Sequence, residues 1–518
     1  MSYPVVRNRP APGQRHTRNW PPRRIADTVA LAQGEVVPAV QPGPILFVVS
    51  VTMIAMGDLM LVPALVGWWS GGLDYEPFLD SAAFTLVPAL VMYALFRQRG
   101  VNILPRHAFL ITTLVWIVAA VAGSVPIALH EHISFTDAFF ESMSGITTTG
   151  STVLAGLDEM SPAILLWRSL LQWVGGLGFM LMAVAILPMV GVGGMRLFRS
   201  ESSDWSEKSL PRARDIASRI GLLYAGLSML CALFYWLFGM SAFDAINHSM
   251  TTISTGGYST SDASMGKYDS NAMLWISSSF MLLGSLPFLV LVHAFKAGPG
   301  ALVRDEQVRF FLLMVAVISL LSTLLLNDPA YSLGRAFTVV TFNVVSTITT
   351  TGFASTDYTL WGPFFAAEFL FLMFTGGCSG STAGSVKIFR IQLALKMFAT
   401  QIRKLIHPNG VFVVRLNNRR VDPSITSALV AFIFAIGLTV IVLTVALAAM
   451  GLDLVTALSS SVTAVTNVGP GLGDIVGPAG NFASLPDAAK WLLAGAMLLG
   501  RLELMTVFVL VTKAYWRG

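Results

Sequence analysis

Apolar residues run along this chain in stretches of about twenty, separated by short polar intervals. A helix rises about 1.5 Å per residue, so about twenty apolar residues match the ~30 Å hydrocarbon core of a bilayer. The pattern predicts ten spans, at about 44–69, 77–97, 107–130, 161–190, 216–239, 272–295, 307–327, 361–405 (interrupted), 424–450 and 487–513. Shorter apolar segments lie between spans three and four, five and six, seven and eight, and nine and ten. They begin near Phe135, Ala242, Leu333 and Leu454 and hold 10–14 apolar residues. That length is too short to cross, and it predicts helices that enter the membrane and turn back.

Each short segment runs into a hydroxyl-rich turn that ends in glycine. The turns are Thr147-Thr148-Thr149-Gly150, Ser254-Thr255-Gly256-Gly257, Thr349-Thr350-Thr351-Gly352 and Thr466-Asn467-Val468-Gly469, with their last glycines 107, 95 and 117 residues apart. Three positions before the glycine, every repeat carries a hydroxyl (Thr147, Ser254, Thr349, Thr466). Six before, it does so again (Ser144, Thr251, Ser346, Thr463), and four before, the residue is β-branched (Ile146, Ile253, Ile348, Val465). Nine before, the repeats diverge to Glu141, His248, Asn343 and Ser460. Shared small, hydroxyl and β-branched positions predict one backbone shape used four times, with pseudo-fourfold symmetry. In repeat-built membrane proteins the ion site lies where the repeats meet.

Charge sets the orientation. Only 12% of the 518 residues are charged, against about a quarter in an average soluble chain, and the mean hydropathy is +0.70. Of 33 Lys and Arg, 28 fall in the N-terminal tail or in loops on one side of the ten-span arrangement. The positive-inside rule makes that side cytoplasmic, with both termini, and puts all four turns outside. The exceptions are Arg168, Lys267, Arg335, Lys490 and Arg501. The basic pI near 9.2 therefore reflects membrane orientation and not a nucleic-acid surface. Residues 1–43 carry six arginines and several prolines without an apolar core, so a disordered cytoplasmic tail is expected and a cleavable signal is not. The two cysteines and seven histidines have no metal-ligand or catalytic spacing, which argues against a membrane-embedded enzyme.

A cation that sheds water needs oxygens in its place, and rings of backbone carbonyls supply them. Glycine allows close approach and backbone conformations that a Cβ opposes. No charged side chain stands at the glycines or the three positions before them. This favours a weakly hydrated monovalent cation over Ca²⁺ or Mg²⁺, which recruit carboxylates. Asp158, Asp262, Asp269, Asp357 and Asp474 in the outer loops are candidates for raising local cation concentration, or are ordinary solvated charges.

Two features lie deeper. The eighth span is apolar from Trp361 to Phe374 and then reads Gly376-Gly377-Cys378-Ser379-Gly380-Ser381-Thr382-Ala383-Gly384-Ser385. About fifteen helical residues rise only ~22 Å, so this stretch falls within membrane depth, where irregular backbone must be buried in protein or face a water-filled cavity. It reads as an intramembrane gating loop beneath the turns. It lacks the G-x-x-x-x-G-K-[ST] spacing of a nucleotide-binding loop. Arg501 lies near the middle of the tenth span, where a charge is costly. It is read as an electrostatic barrier in the pathway or as a structural arginine bonded to loop carbonyls, and one residue can fill both roles. Glu503, two positions on, is a poor partner within the same helix. Arg168, near the outer end of span four, is read as an interfacial anchor.

These residues resemble the Trk/Ktr/HKT superfamily of potassium transporters, specifically its bacterial TrkH type. The matches are Gly145 to Gly150, Trp167-Arg168-Ser169 with Gln172-Trp173 and Gly175-Gly176-Leu177-Gly178, the Gly376–Ser385 loop, Asn467 to Gly471, and Gly500-Arg501-Leu502-Glu503. The resemblance covers nearly everything from about residue 44 onward. It implies an all-α polytopic membrane protein with four membrane-pore-membrane repeats around one pore, preceded by two extra transmembrane helices. The repeats would span 106–215, 216–306, 307–423 and 424–518, after the two helices of 44–105. It also implies that the four turns form a K⁺ filter, that the Gly376–Gly384 loop and Arg501 form the gate, and that the chain is a homodimer in the bacterial cytoplasmic (inner) membrane. A cytoplasmic ring partner of the TrkA type would carry any nucleotide (NAD or ATP), since this chain has no G-x-G-x-x-G after a strand. In plant relatives serine at the first filter glycine accompanies sodium selectivity, so Gly150 favours potassium. The expected function is K⁺ uptake through a gated pore driven by membrane potential. The alternative is a K⁺ symporter coupled to H⁺ or Na⁺, with Asp58, Glu368 and Glu503 as protonation candidates.

Overall fold

A computed structural model describes residues 42–71, 73–97, 105–185, 210–326, 328–417 and 419–517. The basic tail expected over 1–43 lies almost wholly outside the described residues, as does most of the loop after span four. Among the described residues the fold is helical apart from one two-residue-stranded hairpin, Arg415–Leu416 with Arg419–Arg420.

Two helices, α1 (Pro42–Trp69) and α2 (Glu76–Phe96), open the bundle. Repeat one is α3 (Pro105–Glu131), the short α4 (Phe135–Ile146) and α5 (Pro162–Ala185). Repeat two is α6 (Leu210–Leu237), the short α7 (Ala242–Ile253), then α8 (Asn271–Gly284) and α9 (Phe288–Ala297). Repeat three is α10 (Glu306–Leu325), α11 (Leu333–Ile348), α12 (Pro363–Leu372) and α13 (Ile388–Ile406). Repeat four is α14 (Pro423–Ala449), the short α15 (Leu454–Thr466), α16 (Asp487–Arg501) and α17 (Met505–Val511). Seven of these helices are long and apolar enough to cross a bilayer unaided.

The re-entrant helices begin where the pattern predicts because each start is capped. Ser134, Ser241 and Asp453, all sixteen residues before their repeat's glycine, accept from the backbone N–H three residues on. Such a cap satisfies one of the unpaired N–H groups of a helix start. The third helix starts one turn earlier, at Ser332, and is 16 residues long against 12, 12 and 13.

The sequence predicts one interrupted span; the structure has three. The sixth bends by 99° between α8 and α9, and the tenth by 116° between α16 and α17. Breaking a helix inside a membrane frees backbone groups that must find partners. At the sixth-span break the Gly376–Ser385 loop supplies them. Cys378 N donates to Ser285 O (2.9 Å), Thr382 N to Gly284 O (3.2 Å) and Phe288 N to Gly380 O (3.0 Å). The loop closes on itself through Gly376 N to Val386 O (2.9 Å) and Ile388 N to Gly377 O (3.1 Å). At the tenth-span break Glu503 and Leu504 take positive φ (59° and 28°), and the Glu503 carboxylate receives Arg390 of α13 at 2.6 Å. Arg390 also lies over the Phe432 ring at 3.9 Å. Glu503 thus has its partner on another helix.

Candidate functional site

The four glycine turns share one backbone and meet in a ring. Each re-entrant helix ends just before the hydroxyl three before the glycine or at it, and the residue after that hydroxyl is left-handed: φ is 53° at Thr148, 53° at Thr255, 56° at Thr350 and 56° at Asn467. The closing glycines are also positive, at 91°, 76°, 80° and 113°. A Cβ on each would strike a neighbouring turn's carbonyl: Gly150 the Gly256 oxygen, Gly257 that of Thr351, Gly352 that of Val468, and Gly469 that of Thr149. In every case the oxygen belongs to the residue before the next repeat's glycine, and the fourth turn returns to the first. The ring closes in chain order, and both conformation and contact require glycine at its corners.

The ring is buried. Thr147, Thr149, Ser254, Thr255, Thr349, Thr350, Thr351, Thr466, Asn467 and Val468 are all 0% exposed. Gly150, Gly257 and Gly352 are partly open to a cavity of about 320 Å³, which all four glycines line together with Ser151, Thr152 and Asp262. This cavity lies on the side of the outer loops. On the other face the Gly376–Ser385 loop packs against three turns. Thr382 Oγ1 lies 3.2 Å from Thr255 Oγ1 and bonds to Ile253 O (3.0 Å), while Gly384 N donates to Thr350 Oγ1 (2.7 Å). Gly384 also abuts Thr466 O and the Asn467 side chain. The predicted loop and the predicted ring are therefore in direct contact.

Arg501 ends α16 against this loop. Its guanidinium is 1% exposed, donates through Nη1 to Thr382 O (3.0 Å) and lies over the Phe179 ring at 4.3 Å. Lys387 follows the loop, is also buried, donates to Ala383 O and lies over the same ring at 5.3 Å. Arg501 is thus buried and bonded to a carbonyl of the loop, which is the contact its structural reading requires.

Arg168 is not an interfacial anchor. It is 1% exposed and its Nε donates to Glu141 Oε1 at 2.8 Å. The Glu141 carboxylate, itself 0% exposed, also receives Thr152 Oγ1 (3.0 Å) and Val153 N (2.9 Å). Arg168 Nη1 donates to Ser259 O (3.0 Å), and the guanidinium lies over Tyr258 at 4.1 Å. The pair ties the chain after the first glycine to the chain after the second. The signal was present in the sequence as the divergent Glu141, nine before the glycine. Gln172 was quoted only as part of a motif, yet its Nε2 donates to Gly256 O (2.6 Å) and its Oε1 accepts from Tyr258 N (3.0 Å).

The other outer cations are also paired: Lys267 with Asp158 (3.0 Å), Arg335 with Asp269 (2.6 Å) and Lys490 with Asp137 (2.5 Å). Asp158 further receives Ser261 Oγ and Asp262 N, and Asp262 receives Gly156 N and Leu157 N. Burial pushes the Asp158 carboxyl up, but its bonds to Lys267, Ser261 and Asp262 outweigh that and hold it below the usual carboxylate value.

Spans that bracket re-entrant helices, four times over and around one closed ring, define a polytopic membrane transport protein rather than an enzyme. The family model described as "TrkH: Cation transport protein" matches residues 76–517. The chain belongs to this family. It is 46% identical over 497 residues to the Trk system potassium uptake protein TrkI of Halomonas elongata, covering 96% of this chain and 99% of that one. It is 38% identical over 483 residues to the Trk system potassium uptake protein TrkH of Vibrio parahaemolyticus, covering 92% and 99%. The crystal structure of the potassium transporter TrkH from the same organism superposes with a TM-score of 0.85 at 36% identity, covering 92% of this chain and all of that one.

Proposed function

We propose that this protein takes up potassium across the cytoplasmic membrane through a K⁺-selective, gated pore driven by membrane potential. The observation that carries the reading is the closed ring of four turns with one backbone, uncharged and lined with oxygens, between an outer cavity and an intramembrane loop. In it, residues 147–150, 254–257, 349–352 and 466–469 are the filter. The Gly376–Gly384 loop is the gate, held by Arg501, whose charge also opposes cations passing beneath the ring. The names of its relatives support K⁺ as the ion. Both termini lie in the cytoplasm, the chain works as a homodimer, and nucleotide control comes from a separate TrkA-type ring on the cytoplasmic face.

Coupling to H⁺ or Na⁺ finds less support in the side chains considered for it. Glu503 is engaged by Arg390, Glu368 hydrogen-bonds with Ser322 of α10, and Asp58 is exposed on α1. The test is ion flux in proteoliposomes of the purified protein. Selective K⁺ flux that follows an imposed potential is expected. Flux that follows a pH or Na⁺ gradient at zero potential refutes it and makes the protein a symporter.

A further inference from the structure

The ring is symmetric in backbone but not in how its penultimate positions are held. In repeat two that position is Gly256, whose carbonyl is fixed by Gln172. In repeat three Thr351 pairs with Thr349 of its own turn (2.8 Å), and in repeat four Val468 has no hydroxyl to fix. Repeat one is held from outside. Asn467, of the fourth turn, donates from Nδ2 to Thr149 Oγ1 at 2.9 Å, across 318 residues, and from the same nitrogen to Met497 O at 2.9 Å.

Counting hydrogens gives this contact a direction. Thr147 has one hydroxyl hydrogen, and its oxygen lies 2.6 Å from Met143 O, an acceptor only. Thr147 therefore donates there, and its 2.8 Å contact with Thr149 must be a donation from Thr149. Thr149 Oγ1, its own hydrogen used, accepts from the Asn467 amide, whose two hydrogens serve Thr149 and Met497. The chain runs from Asn467 through Thr149 and Thr147 to Met143, every donor is used once, and all four residues are at most 1% exposed. The Thr149 carbonyl is also the one that packs on Gly469 of the fourth turn, so the same two turns touch twice.

We infer that Asn467 is a specificity-determining positioning residue. Through its side-chain amide it locks the Thr149 hydroxyl, and with it the seam where the fourth turn meets the first. The inference rests on the ring being the filter. The three other repeats carry threonine at the Asn467 register, at nearly the same left-handed φ. Asparagine is thus not demanded by the backbone alone, although it tolerates that conformation well. What it adds is an amide that reaches the next turn.

Asn467→Thr therefore removes the donor and installs the residue that the fold accepts at that register three times. Thr149→Val breaks the same bond from the other side with little change of shape. We expect each to fold and conduct, and each to lower the K⁺/Na⁺ permeability ratio in proteoliposomes about fivefold, the factor for one buried hydrogen bond of ~1 kcal/mol. The double variant should lose less than the sum of the two single losses, because both changes delete the Asn467–Thr149 bond, and only the Met497 bond of Asn467 and the Thr147 bond of Thr149 are lost separately. A merely structural role lowers thermal stability and leaves the ratio unchanged. An unchanged ratio in both single variants, or additive losses in the double variant, overturns the inference. Gly150→Ser measured alongside separates this from the reading beneath it. Selectivity lost in Gly150→Ser but kept in Asn467→Thr rejects the tether alone. Selectivity kept in Gly150→Ser and in both tether variants rejects the ring as filter, and the tether with it.

Discussion

Replacing Arg168 by methionine tests how the ring is supported from behind. Arg168 and Glu141 are 1% and 0% exposed and joined at 2.8 Å, so the substitution leaves a carboxylate buried without its counter-ion. Removing one member of a buried pair costs about 3–5 kcal/mol, most of it the uncompensated charge. Thr152 Oγ1 and Val153 N still donate to Glu141, which places the expected cost near the lower end, about 3 kcal/mol. Glu141→Gln strands the arginine, which keeps its bond to Ser259 O and its place over Tyr258, and should cost less. Combining the two removes both charges. The double variant should then be more stable than the sum of the single losses by about 2 kcal/mol. The assay is thermal unfolding in detergent, followed by the loss of monodisperse protein on size exclusion, with K⁺ flux measured on the survivors. Melting of Arg168→Met that matches the wild type, or strictly additive losses, would refute the pairing as a support.

The other perturbations act on the loop, the tenth-span break and the outer clasp. Arg501→Ala removes the donor to Thr382 O and a positive charge beneath the ring, and K⁺ flux should rise by about tenfold or more, the lower end for one charge-assisted hydrogen bond; unchanged or reduced flux in folded protein contradicts that role. Glu503→Gln keeps the side-chain shape but uncouples it from the buried Arg390, and should lower the melting temperature and increase hydrogen exchange over 502–508, while exchange at the wild-type level means the pair does not hold the break. The Asp158 carboxyl sits below its ordinary value in the folded protein, so its contribution is present above the unfolded value of about 3.9 and is lost as pH falls through the lower folded value. Hydrogen exchange over 156–158 and 261–267, corrected for intrinsic rates, should therefore stay flat from neutral pH to about 5 and rise only below about 4. A rise already at pH 6 would assign the clasp to another group.

The sequence pattern located what local chemistry determines. The re-entrant helices could be placed because a cap, a short apolar run and a glycine turn are all encoded within about twenty residues. The breaks in the sixth and tenth spans were hidden because apolar residues flank Ser285 and Glu503 closely on both sides, so the hydropathy of each span barely dips at Ser285-Leu286-Pro287 and Leu502-Glu503-Leu504. What permits those breaks is distant: loop backbone groups at the first and Arg390 at the second. Pro287 was the one local sign. Arg168 was misread for a similar reason, since its partner Glu141 lies 27 residues away on a different helix. The contact between Asn467 and Thr149 spans 318 residues and has no local signature. In this chain periodicity and capping are legible, while the side-chain bonds between repeats are not.

The most direct test of the account is the K⁺/Na⁺ permeability ratio of Gly150→Ser against the wild type, in proteoliposomes under an imposed potential. Gly150 has φ 91°, and a Cβ there meets the Gly256 oxygen of the next turn. The account predicts K⁺-selective flux in the wild type and a ratio at least about fivefold lower in the variant, as expected if ~1–2 kcal/mol of left-handed strain is relieved by moving the ring's oxygens. An unchanged ratio, with both proteins conducting, would mean that ions are not selected at this ring.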